Sequence, residues 1–319
     1  MSERVEPLES PGPLEMLETP TDPEAPSVMK GRRLSERQLA RRENWRLIRR
    51  RPSFIIGAFI ISVWVVCAIL GDRITPHHPL DFRYSPLDPT QSAQLRPQKA
   101  FPFGTDQTGR DVLSRVMAGA RDVLKIAPLA AVLGVMLGVI LGLLMGYIGG
   151  RLDLIVDRIV EAFLALPLVL IALLAITTLG NSSWVVIGVV AVLFTPVVAR
   201  TVRAAVLAER DLDYVTSAKL RGESTPFIMF REILPNVSGP IIVELTVRIG
   251  YAVFTVATLS FLGAGPPLPS PDWGSQVSEG FNLISAGIWW PTFFPALAIA
   301  SLVIAVNLVA DSVQSVLEA

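Results

Sequence analysis

Charge is scarce in this sequence. Asp, Glu, Lys and Arg make up 18% of its 319 residues, against about 25% in an ordinary soluble domain. Cysteine is nearly absent. Cys67 stands alone, which excludes an intrachain disulfide and leaves a small apolar packing residue. The only histidines, His77 and His78, are adjacent in a polar, proline-rich stretch. Without a cysteine or carboxylate cluster beside them they do not define a metal centre. A GxxxxGK[ST] phosphate loop is missing, so the chain itself is not expected to hydrolyse ATP. The uncharged runs hold no Ser/His pair, paired aspartates or histidine cluster, which argues against an enzyme working inside a membrane.

Apolar residues are abundant, at 51%, and they fall in long uncharged blocks rather than on one periodic face. A helix needs about 20 such residues to cross hydrocarbon. Residues 54–71 and 126–150 each supply one crossing. Residues 162–199 run 38 positions without a charge, too long for one crossing, and Gly180-Asn181-Ser182-Ser183 offers a turn with ready helix caps. Further runs lie at about 235–262 and within 280–310. The expectation is an all-α, polytopic membrane bundle of six transmembrane helices, at about 54–71, 126–149, 155–179, 183–206, 236–262 and 290–312, within a domain spanning 53–319.

Net charge is zero, yet unevenly spread. Residues 1–29 hold seven acidic residues, one Arg and six Pro, the composition of a disordered tail. This is not a signal peptide: the first apolar block starts only near residue 54, with no small-residue cleavage site after it. Residues 30–51 hold ten Lys or Arg and two Glu, so 30–52 reads as a basic juxtamembrane helix at lipid headgroups. Nucleic-acid binding is the poorer reading, because the run abuts a span. Six spans place both termini on one side, and the basic run makes that side the cytoplasm. Residues 264–290 lack Lys and Arg, as an outside loop should, and Trp289 and Trp290 suit an interfacial belt. Residues 200–235 carry six basic residues, as an inside loop should. Residues 72–122 carry seven and fit less well, though at that length translocation becomes indifferent to charge.

Within the spans, Gly134, Gly138, Gly142, Gly146 and Gly150 recur every four residues, a ridge for close helix approach, either inside the bundle or to a second subunit. Pro128, Pro167, Pro196, Pro240 and Pro295 lie in or at the edges of five spans and invite kinks. Glu244 and Arg248, four apart in the fifth span, can pair on one face. They read as a pathway-lining pair or a self-neutralised structural one. Asp106, Arg110 and Asp111, with Gly104 and Gly109 beside them, read either as a seal or docking point at the outer mouth, or as a plain surface turn before a capped helix.

The segment DLDYVTSAKLRGESTPFIMFREILPN, residues 211–236, is the most specific. Asp211 or Asp213 can cap a short helix from Tyr214 to Leu220, Gly222 can stop it in the left-handed region, and Thr225-Pro226 can start a second helix. The product is a projecting helical elbow. It resembles the "EAA" loop of permeases in binding-protein-dependent ABC importers: Ala218, Gly222, Leu234 and Pro235 match at the family's spacing, while Thr216 and Ser217 stand where Glu and Ala are usual. FGTDQTGRDVLSRVMAGAR, LSFLGAGPPLPSPDWGSQVSEG and FPALAIASLVIAVNLVADSVQSVLEA are similar to further segments of the dipeptide and oligopeptide permease group, so the resemblance covers about residues 50–319.

The resemblance implies the type I ABC importer permease fold in a bacterial inner membrane. It also implies a second, homologous permease, two cytoplasmic ABC ATPases that bind ATP and Mg, and an extracytoplasmic binding protein that delivers a small peptide. Tyr214, Thr216, Ser217, Ala218, Gly222, Leu234 and Pro235 would form the ATPase coupling surface. Relatives also carry nickel, glutathione, opines or sugars. A self-sufficient secondary transporter would need an ion-coupling site of buried acids and an internal repeat; only Glu244 lies deep, and no repeat is seen. A non-transporting scaffold would leave the elbow unexplained.

Overall fold

The computed structural model describes residues 48–81, 94–266 and 270–317; the expected acidic tail and most of the basic juxtamembrane segment lie outside the described residues. Helix α1, Pro52–Ile74, opens on Pro52, whose missing N–H costs nothing at a first turn. Helix α2, Val112–Ile148, is 37 residues long, or about 55 Å at 1.5 Å per residue. It starts well before the expected boundary at 126. Arg115, Arg121, Asp122 and Lys125 break the hydropathy signal there but not the helix. Asp111 caps it, accepting from the amides of Leu113 (3.3 Å) and Ser114 (3.2 Å).

Gly149 (φ 65°) and Gly150 (φ 60°) turn the chain into α3, Gly150–Leu164. Then α4, Leu168–Leu179, departs at 88° from α3. The segment expected as a third span over 155–179 is thus a bent pair, with the break at Pro167, one of the prolines expected to kink a span. Pro167 supplies no amide to the turn before it, and the helix breaks there. Helix α5, Ser183–Glu209, is capped by Ser182 Oγ. Helix α6, Asp213–Leu220, and α7, which runs from Thr225–Phe227 through a π-helical turn Ile228–Ile233 to Leu234–Asn236, make the elbow. Helix α8, Ser238–Leu259, ends in a second π turn, Ser260–Ala264, broken by Gly263 at φ 86°. Helix α9, Trp273–Phe281, and α10, Trp290–Leu317, complete the bundle. No strand occurs among the described residues. Among the described residues five helices are long and apolar enough to cross a membrane, and six if the bent pair α3–α4 counts as one.

The tightest joint is α2 on α5. A Cβ on Gly138 would lie 2.5 Å from Val198 Cβ, one on Gly142 2.7 Å from the Ala199 carbonyl, and one on Gly146 2.7 Å from Val206 Cβ. The glycine ridge is thus an internal seam. It stops at Gly146: Gly150 lies beyond the Gly149 turn with nothing within 4 Å of a Cβ there.

Candidate functional site

At one end of α2 the elbow packs on the bundle. Val215, Ala218 and Ile233 are fully buried, and Ile228 and Met229 nearly so, in one cluster with Leu143, Val198, Val202 and Val206 from α2 and α5. Neither Asp211 nor Asp213 caps α6: Leu212 holds the cap position and Asp213 is the first helical residue. The stop is as expected. Gly222 takes φ 77°, and the Glu223 amide donates to the Ala218 carbonyl over it at 3.2 Å.

The seven expected coupling residues divide between two faces. Ala218 is buried in that cluster, and Leu234 is half-buried against it. Thr216, Ser217, Gly222 and Pro235 are exposed. Tyr214 is a brace: its hydroxyl donates to Glu209 Oε2 at 2.7 Å, and burial together with that carboxylate pushes its pKa up to about 12. Leu220 was missed. It stands 84% exposed at the tip of α6, and no motif spacing singles out a leucine there.

At the other end of α2, Asp106, Arg110 and Asp111 are 3%, 8% and 2% exposed. All three are buried rather than on a surface turn: Asp106 and Arg110 belong to an ionic cluster, while Asp111 caps α2 and faces His77. Asp106 Oδ2 accepts from Arg110 Nε (2.7 Å) and Arg115 Nη1 (2.6 Å), and Oδ1 accepts from Thr108 and from the Arg110 amide. Glu279 Oε2 on α9 accepts from Arg110 Nη2 (2.7 Å) and Arg115 Nη1 (2.8 Å). Among the described residues two carboxylates thus meet two guanidiniums, and the loop before α2 is locked to α9. Burial pushes the Asp106 carboxyl up, but Arg115, Arg110 and Thr108 outweigh it and hold the group below the usual carboxylate range. Burial raises Asp272, the cap of α9. Arg115 and Glu279 were not singled out from sequence, since nothing local links positions more than 160 apart. Trp290 is 3% exposed and donates to the Thr105 carbonyl at 3.0 Å, so it is a core residue of this lock and not an interfacial one; Trp289 is half-exposed.

Midway, Glu244 and Arg248 do pair, at 2.8 Å, and each is 13% exposed. Thr201 donates to Glu244 Oε1 at 2.7 Å, and the guanidinium carbon lies 5.4 Å from the Tyr251 ring centre and 5.7 Å from that of Phe194. Nearer the elbow, Arg203 clasps Asp153 with two bonds of 2.6 and 2.7 Å, tying α5 to the first turn of α3. His77 Nδ1 lies 3.2 Å from Asp111 Oδ2. No group of three potential metal ligands occurs among the described residues.

Residues 138–319 match the family model described as binding-protein-dependent transport system inner membrane component. The chain belongs to that family. The permease is 40% identical over 281 residues to the dipeptide transport system permease protein DppC of Escherichia coli K12, covering 86% of this chain and 92% of the relative. It is 33% identical over 281 residues to the di/tripeptide transport system permease protein DppC of Pseudomonas aeruginosa, covering 87% and 91%. To the dipeptide transport system permease protein DppC of Bacillus subtilis it is 35% identical over 274 residues, covering 86% and 84%. The matched region contains both the elbow and α9. The permease is thus a multi-pass membrane protein and a transport component, with the all-α fold of type I ABC importer permeases.

Proposed function

We propose that this permease forms half of the translocation pathway of an ATP-driven importer of dipeptides or oligopeptides. The names of its relatives support the substrate class. In this reading a second, homologous permease supplies the other half. Two cytoplasmic ABC ATPases bind ATP and Mg and dock on the elbows, and an extracytoplasmic binding protein delivers the peptide. The chain is non-catalytic and needs no cofactor. Both termini lie in the cytoplasm of a bacterial cell whose inner membrane it spans, and the Asp106–Glu279 cluster shapes the outer mouth. Glu244 and Arg248 lie on the pathway.

The observation that carries the reading is the two-faced elbow. Val215 and Ala218 anchor α6 to the ends of α2 and α5, while Thr216, Ser217 and Leu220 face outward. An apolar side chain held in water on a braced helix is a contact point in search of a partner. Because the elbow shares a packed cluster with α2 and α5, a push on α6 moves those spans with it. Hydroxyls at Thr216 and Ser217 make this docking apolar and hydrogen-bonded rather than charge-paired. Leu220→Asp, in the chain purified with its copurifying subunits and placed in liposomes, is expected to lower ATP-dependent peptide uptake by about tenfold or more, since about 1.4 kcal/mol of lost docking is tenfold. Normal protein levels and thermal stability should accompany that loss. Peptide uptake by this chain alone, without ATP, would refute the reading.

A further inference from the structure

Helix α8 carries a polar stripe along its span. Glu244, Arg248, Tyr251, Thr255 and Thr258 follow one another at steps of four, three, four and three, which keeps them on one face of an α-helix. The stripe is about 21 Å long at 1.5 Å per residue. Its two ends are satisfied within the chain: Glu244 and Arg248 pair at 2.8 Å, and Thr258 donates to the Phe254 carbonyl at 2.9 Å. The middle lacks such partners. Tyr251 is 56% exposed, Thr255 is part-exposed, and neither hydroxyl makes a hydrogen bond among the described residues. Thr195, Thr246 and Thr258 turn their hydroxyls back onto a carbonyl three or four residues earlier, and Thr255 does not. Tyr251 is also the central residue of the span Ser238–Ala264, far from the interfaces where tyrosine usually anchors a span.

Facing lipid would strand both hydroxyls without a partner. A dry helix from another subunit would need matching donors and acceptors along the whole stripe. Water and a solute in transit need no such match, and polar faces at this depth ordinarily border a water-filled path. The Arg248 guanidinium, 5.4 Å from the Tyr251 ring centre, braces the ring. Because Glu244 and Arg248 neutralise each other, the middle of the stripe offers a solute two hydroxyls, each able to donate and accept. A peptide bond, with one N–H and one C=O, is the matching group.

We propose that Tyr251 and Thr255 face the aqueous path and hydrogen-bond the main-chain amide of a peptide in transit. The choice of solute rests on the importer reading above; the exposure of the face does not. On a Cys67→Ala background, Tyr251→Cys, Thr255→Cys and Val66→Cys, the last at a 48% exposed position of α1, are compared in the chain with its copurifying subunits in lipid nanodiscs. A charged, membrane-impermeant thiol reagent should label Tyr251→Cys and Thr255→Cys about tenfold or more faster than Val66→Cys, since the reactive thiolate forms in water and not in hydrocarbon. Tyr251→Phe keeps the ring, and Thr255→Val keeps the shape. Each should lower ATP-dependent peptide uptake by about fivefold, the ratio matching about 1 kcal/mol for one hydrogen bond. The loss should be smaller for an analogue N-methylated at its amide, a difference that mere misfolding would not produce. Labelling of Tyr251→Cys and Thr255→Cys no faster than Val66→Cys overturns the proposal, by showing that lipid or a second subunit covers the face. Wild-type uptake by both hydroxyl-deleted variants overturns it as well. Absence of ATP-dependent uptake in wild type would overturn the importer reading and with it the peptide contact, while fast labelling would still hold the face in water.

Discussion

Asp106→Asn is the sharpest test of the buried cluster. The Asp106 side chain is 4% exposed and that of Arg115 2%. The substitution removes the carboxylate that Arg110 and Arg115 share with Glu279, and turns an amide N–H₂ toward donors. Stranding a charge in a buried ion pair costs about 3–5 kcal/mol, a large share of the about 5–15 kcal/mol that holds a typical domain folded. The chain carries its own reporter: Cys67 is the sole cysteine and is 8% exposed, so a thiol-reactive fluorogenic dye follows unfolding during a thermal ramp. Asp106→Asn should unfold several degrees below wild type. Adding Arg115→Met removes one of the stranded cations, so the double variant should be less destabilised than the sum of the two single ones. The pH dependence has a definite sign. Asp106 titrates lower in the folded state than in the unfolded state, so its contribution is complete above the ordinary Asp value of about 4 and is lost as pH falls through the lower folded value. The gap between wild type and Asp106→Asn should therefore narrow on acidification below about pH 4. A variant within about 1 kcal/mol of wild type at neutral pH, the ceiling for a solvent-screened surface pair, would refute the argument.

Gly138→Ala forces a methyl to 2.5 Å from Val198 Cβ and should cost about 1–3 kcal/mol by overpacking. Gly188→Ala, with nothing within 4 Å, should be neutral or stabilising by up to about 1 kcal/mol; equal effects in the same thermal assay would show that the α2–α5 seam is loose. Arg248→Met strands Glu244 and should destabilise more than the double variant Glu244→Gln with Arg248→Met. If the pair lies on the pathway, the double variant should change relative uptake of acidic and basic peptides, and unchanged ratios at normal expression would remove it from the pathway.

Much of the architecture was legible because hydrocarbon tolerates so little. Uncharged runs mark α1, α5 and α10, an apolar run broken only by Glu244 and Arg248 marks α8, and the left-handed Gly222 marks the end of α6 from its local chemistry alone. The glycine period announced a close helix contact. What could not be read locally was the partner in each contact. Four charged residues in the first turns of α2 hide a helix that continues through them, and Pro167 announced a kink but not its angle of 88°. Asp106 showed an acid near an arginine. Only folding brings Glu279 and Arg115 to it and turns an apparent surface turn into a buried lock. Trp290 suited an interface by type, yet its indole N–H found the Thr105 carbonyl instead. Sequence by itself determined which segments are apolar enough to cross a membrane and where Gly222 stops α6, because both follow from local solvation and backbone freedom. Tertiary structure alone decided which charges neutralise one another and which face of the elbow remains open, because both depend on residues far apart in the chain meeting in a low-dielectric interior.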